Sequence, residues 1–120
     1  MIMRHRKANK KIGRPTNERM ALLRNQVTQL LLHDKITTTE AKARATKRLA
    51  EKTITIARAG DLQAMRQARK VVNNADAFKK LFAVIGPRFK DRNGGYVRMV
   101  KLPPRRGDAT PMACIMLAED

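Results

Sequence analysis

The segment Arg88–Leu117, RFKDRNGGYVRMVKLPPRRGDATPMACIML, decides how this chain folds. It holds two apolar, β-prone runs, Tyr96 to Leu102 and Met112 to Leu117, joined by Pro103-Pro104-Arg105-Arg106-Gly107-Asp108-Ala109-Thr110-Pro111. Prolines cannot donate to a strand ladder and Gly107 can take a positive φ, so the spacing predicts a wide antiparallel connection with two arginines at its tip. The approach to the first strand, Asp91-Arg92-Asn93-Gly94-Gly95, is a second turn-rich basic element whose glycines allow close approach of a bulky group. Both flanking loops present guanidinium groups, the chemistry of an anion-contacting surface, and phosphate is the favoured anion.

The composition points the same way. A chain of 120 residues forms one domain with a modest core. Lys and Arg number 27 against 10 for Asp and Glu, a formal charge of +17. A compact body with that excess repels itself unless a polyanion neutralises it, so nucleic acid is the expected partner. A hydrophobic fraction of 42% argues against wholesale disorder.

Catalytic chemistry is not signalled. The acidic residues are scattered, and no carboxylate pair, Ser-His-Asp grouping, Walker loop or HExxH motif occurs, so no enzyme, cofactor or metal site is expected. One cysteine excludes an internal disulfide, and two distant histidines give no zinc spacing. Cys114, inside an apolar run, reads as a small buried hydrophobe. No stretch approaches the roughly 18 apolar residues of a membrane span. The N-terminus faintly imitates a signal or transit peptide, but Arg24, Asn25 and Gln26 interrupt the apolar run and no small-residue cleavage site follows. Arg106-Gly107-Asp108 matches the cell-adhesion tripeptide by letter and reads as a charged turn.

From the N-terminus, Arg4, Arg6, Lys7, Lys10, Lys11, Arg14 and Arg19 face Glu18 alone. Residues 1–15 are expected to be a basic arm that folds against phosphate, and residues 16–120 a single α+β domain. Thr16 is the expected cap of a first helix over 17–33, with Met20, Leu23, Val27, Leu30 and Leu31 on its core stripe and Arg24 and Asn25 on its flank. Lys35–Thr39 suits an edge strand. Thr38 or Thr39 would cap a second helix over 40–59, with Ala41, Ala45, Leu49 and Ile56 inward and Gly60 at its end. Its other faces carry Lys42, Arg44, Lys47, Arg48, Lys52 and Arg58, so it can lie along a phosphate backbone without reading bases. Asp61 caps a third helix with Leu62, Met65, Ala68 and Val72 inward. A fourth, over 75–85, groups Phe78, Leu81, Phe82 and Ile85 before Gly86-Pro87 stops it. Aromatic residues are too few for an array of stacked bases, and Tyr96 is expected to pack on the sheet.

This order, α-β-α-α-α-β-β, predicts a two-layer α+β domain with a small mixed or antiparallel three-stranded sheet covered by helices. The expected contacts form two groups: Arg4, His5, Arg6, Lys7, Lys10, Lys11, Arg14, Arg24 and Asn25, then Arg92, Asn93, Arg98, Lys101, Arg105 and Arg106.

Several segments, taken in order, carry a resemblance: Met3-Arg4-His5-Arg6-Lys7, Gly13-Arg14, Leu23-Arg24-Asn25, Ile36-Thr37-Thr38, Ala50-Glu51-Lys52 and Gly60-Asp61-Leu62. Leu81-Phe82, Pro87-Arg88-Phe89, Asp91 through Tyr96, Pro104 through Ala109 and Met112-Ala113 continue it. Across nearly its whole length the chain resembles a bacterial large-subunit ribosomal protein, the family numbered seventeen. Met1-Ile2 stand ahead of the family's usual first Met, and Phe89 stands where Tyr is expected. The resemblance implies a cytoplasmic structural protein that binds large-subunit (23S) rRNA toward the peptide-exit side, among neighbouring ribosomal proteins, with no membrane and no homo-oligomer. Two other readings of the charge stay open, a DNA-compacting protein and a membrane-active basic protein.

Overall fold

The computed structural model describes residues 16–118. Helix α1 (Thr16–His33) leads into strand β1 (Lys35–Thr39) and helix α2 (Glu40–Ala57), followed by α3 (Leu62–Arg69) and α4 (Ala75–Lys80). A π-helical turn (Leu81–Ile85) and a short helix α5 (Gly86–Arg88) precede β2 (Val97–Leu102) and β3 (Met112–Leu117). The strands form one antiparallel sheet in the order β1-β3-β2, so the last strand is central and Lys35–Thr39 is an edge, as expected.

The α1–β1 junction turns on one residue. Asp34 has a positive φ of 67°, its N–H donates to Leu30 O at 2.8 Å and its carbonyl accepts from Leu117 N–H at 2.9 Å. A helix stop is thereby tied directly to the central strand. Thr16, expected as a cap, is already helical.

Pairing sorts the strand residues by face. Val97, Met99 and Lys101 oppose Leu117, Ile115 and Ala113 on the helix-covered side, while Arg98, Val100 and Leu102 oppose Met116, Cys114 and Met112 on the other. Cys114 is therefore on the outer face and half-exposed, not in the core. The one-residue alternation of a strand decides this, and an all-apolar run hides it.

The core joins Val27, Leu30 and Leu31 of α1 to Ile54 of α2, Leu81, Ile85, Phe89, Tyr96 and Ile115. Of the expected α2 stripe Ala45 is buried, Leu49 and Ile56 are half-buried and Ala41 is exposed; Ala43, Thr46, Ala50, Thr53, Ile54 and Ala57 make up the rest of the buried face. Alanines let the backbones approach, and the buried threonines are satisfied internally. Thr53 Oγ1 donates to Leu49 O at 2.8 Å. Thr46 Oγ1 donates to Gln26 Oε1 at 2.6 Å, and Gln26 Nε2 donates to Thr38 Oγ1 at 3.0 Å, a polar chain linking α2, α1 and β1.

The helix starts follow different rules. Asp61 and Asn74 cap α3 and α4 through their side chains, accepting from Ala64 N–H at 2.8 Å and Ala77 N–H at 3.0 Å. Thr39 occupies the cap position of α2 without a side-chain cap bond. The N–H of Glu40 donates instead to Pro111 O at 3.0 Å, from the β2–β3 loop. On and after α3, Ala68 and Val72 are buried as expected, with Ala64 beside them, whereas Leu62 and Met65, also expected inside, are 62% and 37% exposed. Gly86-Pro87 does not end the fourth helix but widens it. Pro87 has no N–H to continue the α-helical ladder, and the π turn Leu81–Ile85 lies just before it.

Candidate nucleic-acid interface

The two arginine-bearing loops lie at opposite ends of β2. Asp91–Gly95 precedes the strand and Pro103–Pro111 follows it. Six residues of strand separate them by about 20 Å, so they form two basic poles and not one cluster.

At the first pole, Gly94 and Gly95 have positive φ of 95° and 69°, and the turn they make is held from α2. Arg58 Nη1 donates to Tyr96 Oη at 2.9 Å, and its Nη2 donates to Lys90 O at 2.7 Å. Tyr96 Oη itself donates to Arg92 O at 3.1 Å. Burial pushes the Tyr96 phenol up, but hydrogen bonds from Thr55, the Gly94 backbone and Arg58, with the charge of Arg58, outweigh it and hold it below its ordinary value. The ring is fully buried beside Phe89, with centroids 5.2 Å apart, which excludes base stacking on it. Arg92 lies with its guanidinium 6.0 Å from the Phe89 ring centroid, and Asn93 is exposed. Arg58 thus organises the loop that displays Arg92 and Asn93.

At the second pole, Arg105 and Asp108 form a fork: Nε donates to Oδ1 at 3.2 Å and Nη2 to Oδ2 at 2.7 Å. This pairing and the Thr110 N–H hold the Asp108 carboxyl well below the usual carboxylate range. Arg105 N–H also donates to Thr110 O at 2.9 Å, and Gly107 supplies a φ of 98°. Arg105 therefore shapes the loop, while Arg106 projects from its tip in an exposed position.

The remaining expected residues are dispersed. Lys101 is exposed with Nζ 4.0 Å from Glu40 Oε1, and Arg98 stands on the uncovered face of the sheet. Arg24 and Asn25 are exposed on α1 beside the α3–α4 loop, where Asn73 Nδ2 donates to Asn25 Oδ1 at 3.4 Å. Arg4, His5, Arg6, Lys7, Lys10, Lys11 and Arg14 lie outside the described residues.

Sequence reasoning placed Arg58 only on the basic outer face of α2 and gave Glu51 no site role. Glu51 accepts from Tyr96 N–H at 3.2 Å and Val97 N–H at 2.8 Å, and so fixes the start of β2 against α2. Only the long-range pairing of α2 with β2 reveals this. Beside Glu51, Arg44, Lys47, Arg48, Gly95 and Met99 line an open cleft of about 590 Å³. Among the described residues no group of His, Cys, Asp and Glu could hold a metal ion, and no helix is long and apolar enough to cross a membrane.

A basic α+β body with arginine loops at both poles of one strand and a cationic cleft beside it has a surface chemistry suited to polyanions. The family profile described as Ribosomal protein L17 matches residues 22–118. A protein of Geobacter sulfurreducens named large ribosomal subunit protein bL17 is 48% identical over 118 residues, covering 98% of this chain and 67% of the relative. Proteins of the same name from Caldanaerobacter subterraneus and Clostridium tetani are 52% and 51% identical, covering 90% and 91% of this chain and 96% of each relative. The chain thus spans about two thirds of the Geobacter relative and nearly all of the other two. It belongs to the ribosomal protein L17 family, a family of large-subunit ribosome components and not of enzymes.

Proposed function

We propose that this protein is a structural constituent of the large ribosomal subunit that holds segments of 23S rRNA together through phosphate contacts, and so takes part in translation in the cytoplasm. The observation that carries the reading is the placement of Arg92 and Asn93 at one end of β2 and Arg106 at the other, in a chain of net charge +17. Two poles about 20 Å apart suit bridging of separate backbone segments better than gripping one. Arginine supports this use because its planar fork holds phosphate bidentately.

With the aromatic rings at core positions, shape and backbone geometry select the RNA more than base edges do. Arg24, Asn25, Arg98 and Lys101 add contacts on other faces, and the basic arm with Arg4, His5, Arg6, Lys7, Lys10, Lys11 and Arg14 adds a further group. Neighbouring large-subunit proteins complete the environment; no membrane and no second copy is required.

The test is equilibrium binding to large-subunit rRNA fragments and to duplex DNA of equal length over a salt series. A steep fall of log K with log salt, and tighter binding of structured rRNA at equal salt, is expected. A flat salt response removes the phosphate mechanism, and equal or tighter binding of duplex DNA favours the DNA-compacting reading.

A further inference from the structure

The seam between α2 and β2 has a geometry that the two poles do not explain. Glu51 of α2 bonds the Tyr96 and Val97 amides at the start of β2, while Glu40, at the first turn of α2, lies beside Lys101 near the strand's end. The helix therefore runs antiparallel along the strand and turns one face, Glu40, Arg44, Lys47, Arg48 and Glu51, along the seam. Glu40 to Glu51 spans about 16 Å at the α-helical rise.

The two carboxylates on this face are already held within the protein. Both oxygens of Glu51 accept backbone N–H groups of the strand, and Glu40 is engaged by Arg44 and approached by Lys101. Arg44, Lys47 and Arg48 line the cleft within about one helical turn of α2, beside Glu51, and the facing wall holds Gly95 and Met99. A Cβ at Gly95 would meet nothing within 4 Å, so that wall is low and open. A cleft of about 590 Å³ is far larger than one inorganic phosphate needs, and its three cations cover about 6 Å of helix axis.

From this arrangement we propose that the α2–β2 cleft is a track for one sugar-phosphate strand of RNA, phosphates inward and bases outward, running between the two poles. The inference rests on the rRNA-binding reading above and deepens it by assigning Arg44, Lys47 and Arg48 as backbone contacts. The lining includes no aromatic ring, so the track is indifferent to base identity and reads only the spacing of charge.

The test uses the full chain and a large-subunit rRNA fragment in a salt series, comparing wild type, Arg44→Gln/Lys47→Gln, Arg44→Lys/Lys47→Arg and Arg106→Gln. Loss of two phosphate contacts is expected to reduce the steepness of log K against log salt by about 1.4–1.8. The charge-conserving pair should restore it. An unchanged slope in the Gln pair, with a reduced slope in Arg106→Gln, overturns the track and leaves the rRNA-binding reading standing. A reduced slope that the charge-conserving pair fails to restore also overturns it, as a packing defect. No salt dependence in the wild type overturns the rRNA-binding reading itself.

Discussion

Glu51 of α2 holds the first amide of β2: its Oε2 accepts from Val97 N–H at 2.8 Å while Oε1 takes the preceding Tyr96 N–H at 3.2 Å. A helix carboxylate acts here as the anchor of a strand, across 46 residues of sequence. Hydrogen bonds to a charged group are worth about 1.5–3 kcal/mol each, more than most surface pairs. Glu51→Ala is expected to destabilise the fold by about 2–3 kcal/mol, and Glu51→Gln by less because one acceptor survives. Urea denaturation checks this, as a lowered midpoint with an unchanged slope.

Tyr96 is the one tyrosine of a chain without tryptophan, so near-ultraviolet absorbance reads its ionisation directly. Its phenol should titrate below the ordinary value of 10.0, and Arg58→Met should raise the midpoint. Because the folded value is the lower one, the unfolded chain holds more protons between the two values. The contribution of this group to stability therefore grows as pH rises through the lowered value and is complete above the ordinary one.

Asp108 and Arg105 lie on an exposed loop, where a lone ion pair usually adds little. The expected effect is local order. Because the folded carboxyl lies below its ordinary range, the pair persists through mild acid and is lost only as pH falls through the depressed value. Carboxyl-carbon NMR titration should show Asp108 still ionised at pH below the ordinary carboxylate range.

Gly86 lies where the π turn meets α2, and a Cβ there would stand 3.1 Å from Ala57 O and 3.2 Å from Leu81 O. Its φ of −56° is ordinary, so alanine would gain up to about 1 kcal/mol of helix propensity. Both obstructing atoms are backbone, and displacing packed backbone costs about 1–3 kcal/mol, so the clash wins. Gly86→Ala should lower the thermal midpoint by a few degrees; an unchanged or raised midpoint would show that α2 yields freely.

The sequence was most legible where one residue type has one physical meaning. Apolar, β-prone runs bounded by Gly- and Pro-bearing loops placed the strands, and Asp61 marked the start of α3 by capping chemistry. The reading was partial on α2, where only Ala45 of the expected stripe is buried because alanine and threonine carry too little hydrophobic contrast to set the rotation, and it failed on Leu62 and Met65, which lie outside the face formed by Ala64 and Ala68. The expected contact residues fell at separate places because β2 keeps its two loops apart. Glu51 and Arg58 carried no local signal, since each acts on backbone more than thirty residues away.

Sedimentation of native lysate through a sucrose gradient, followed by a high-salt wash of the fractions holding the protein, tests the central claim most directly. The account predicts that the protein remains in the large ribosomal subunit at salt that strips loosely held basic proteins. Release at the first wash, or migration with the nucleoid, would contradict it.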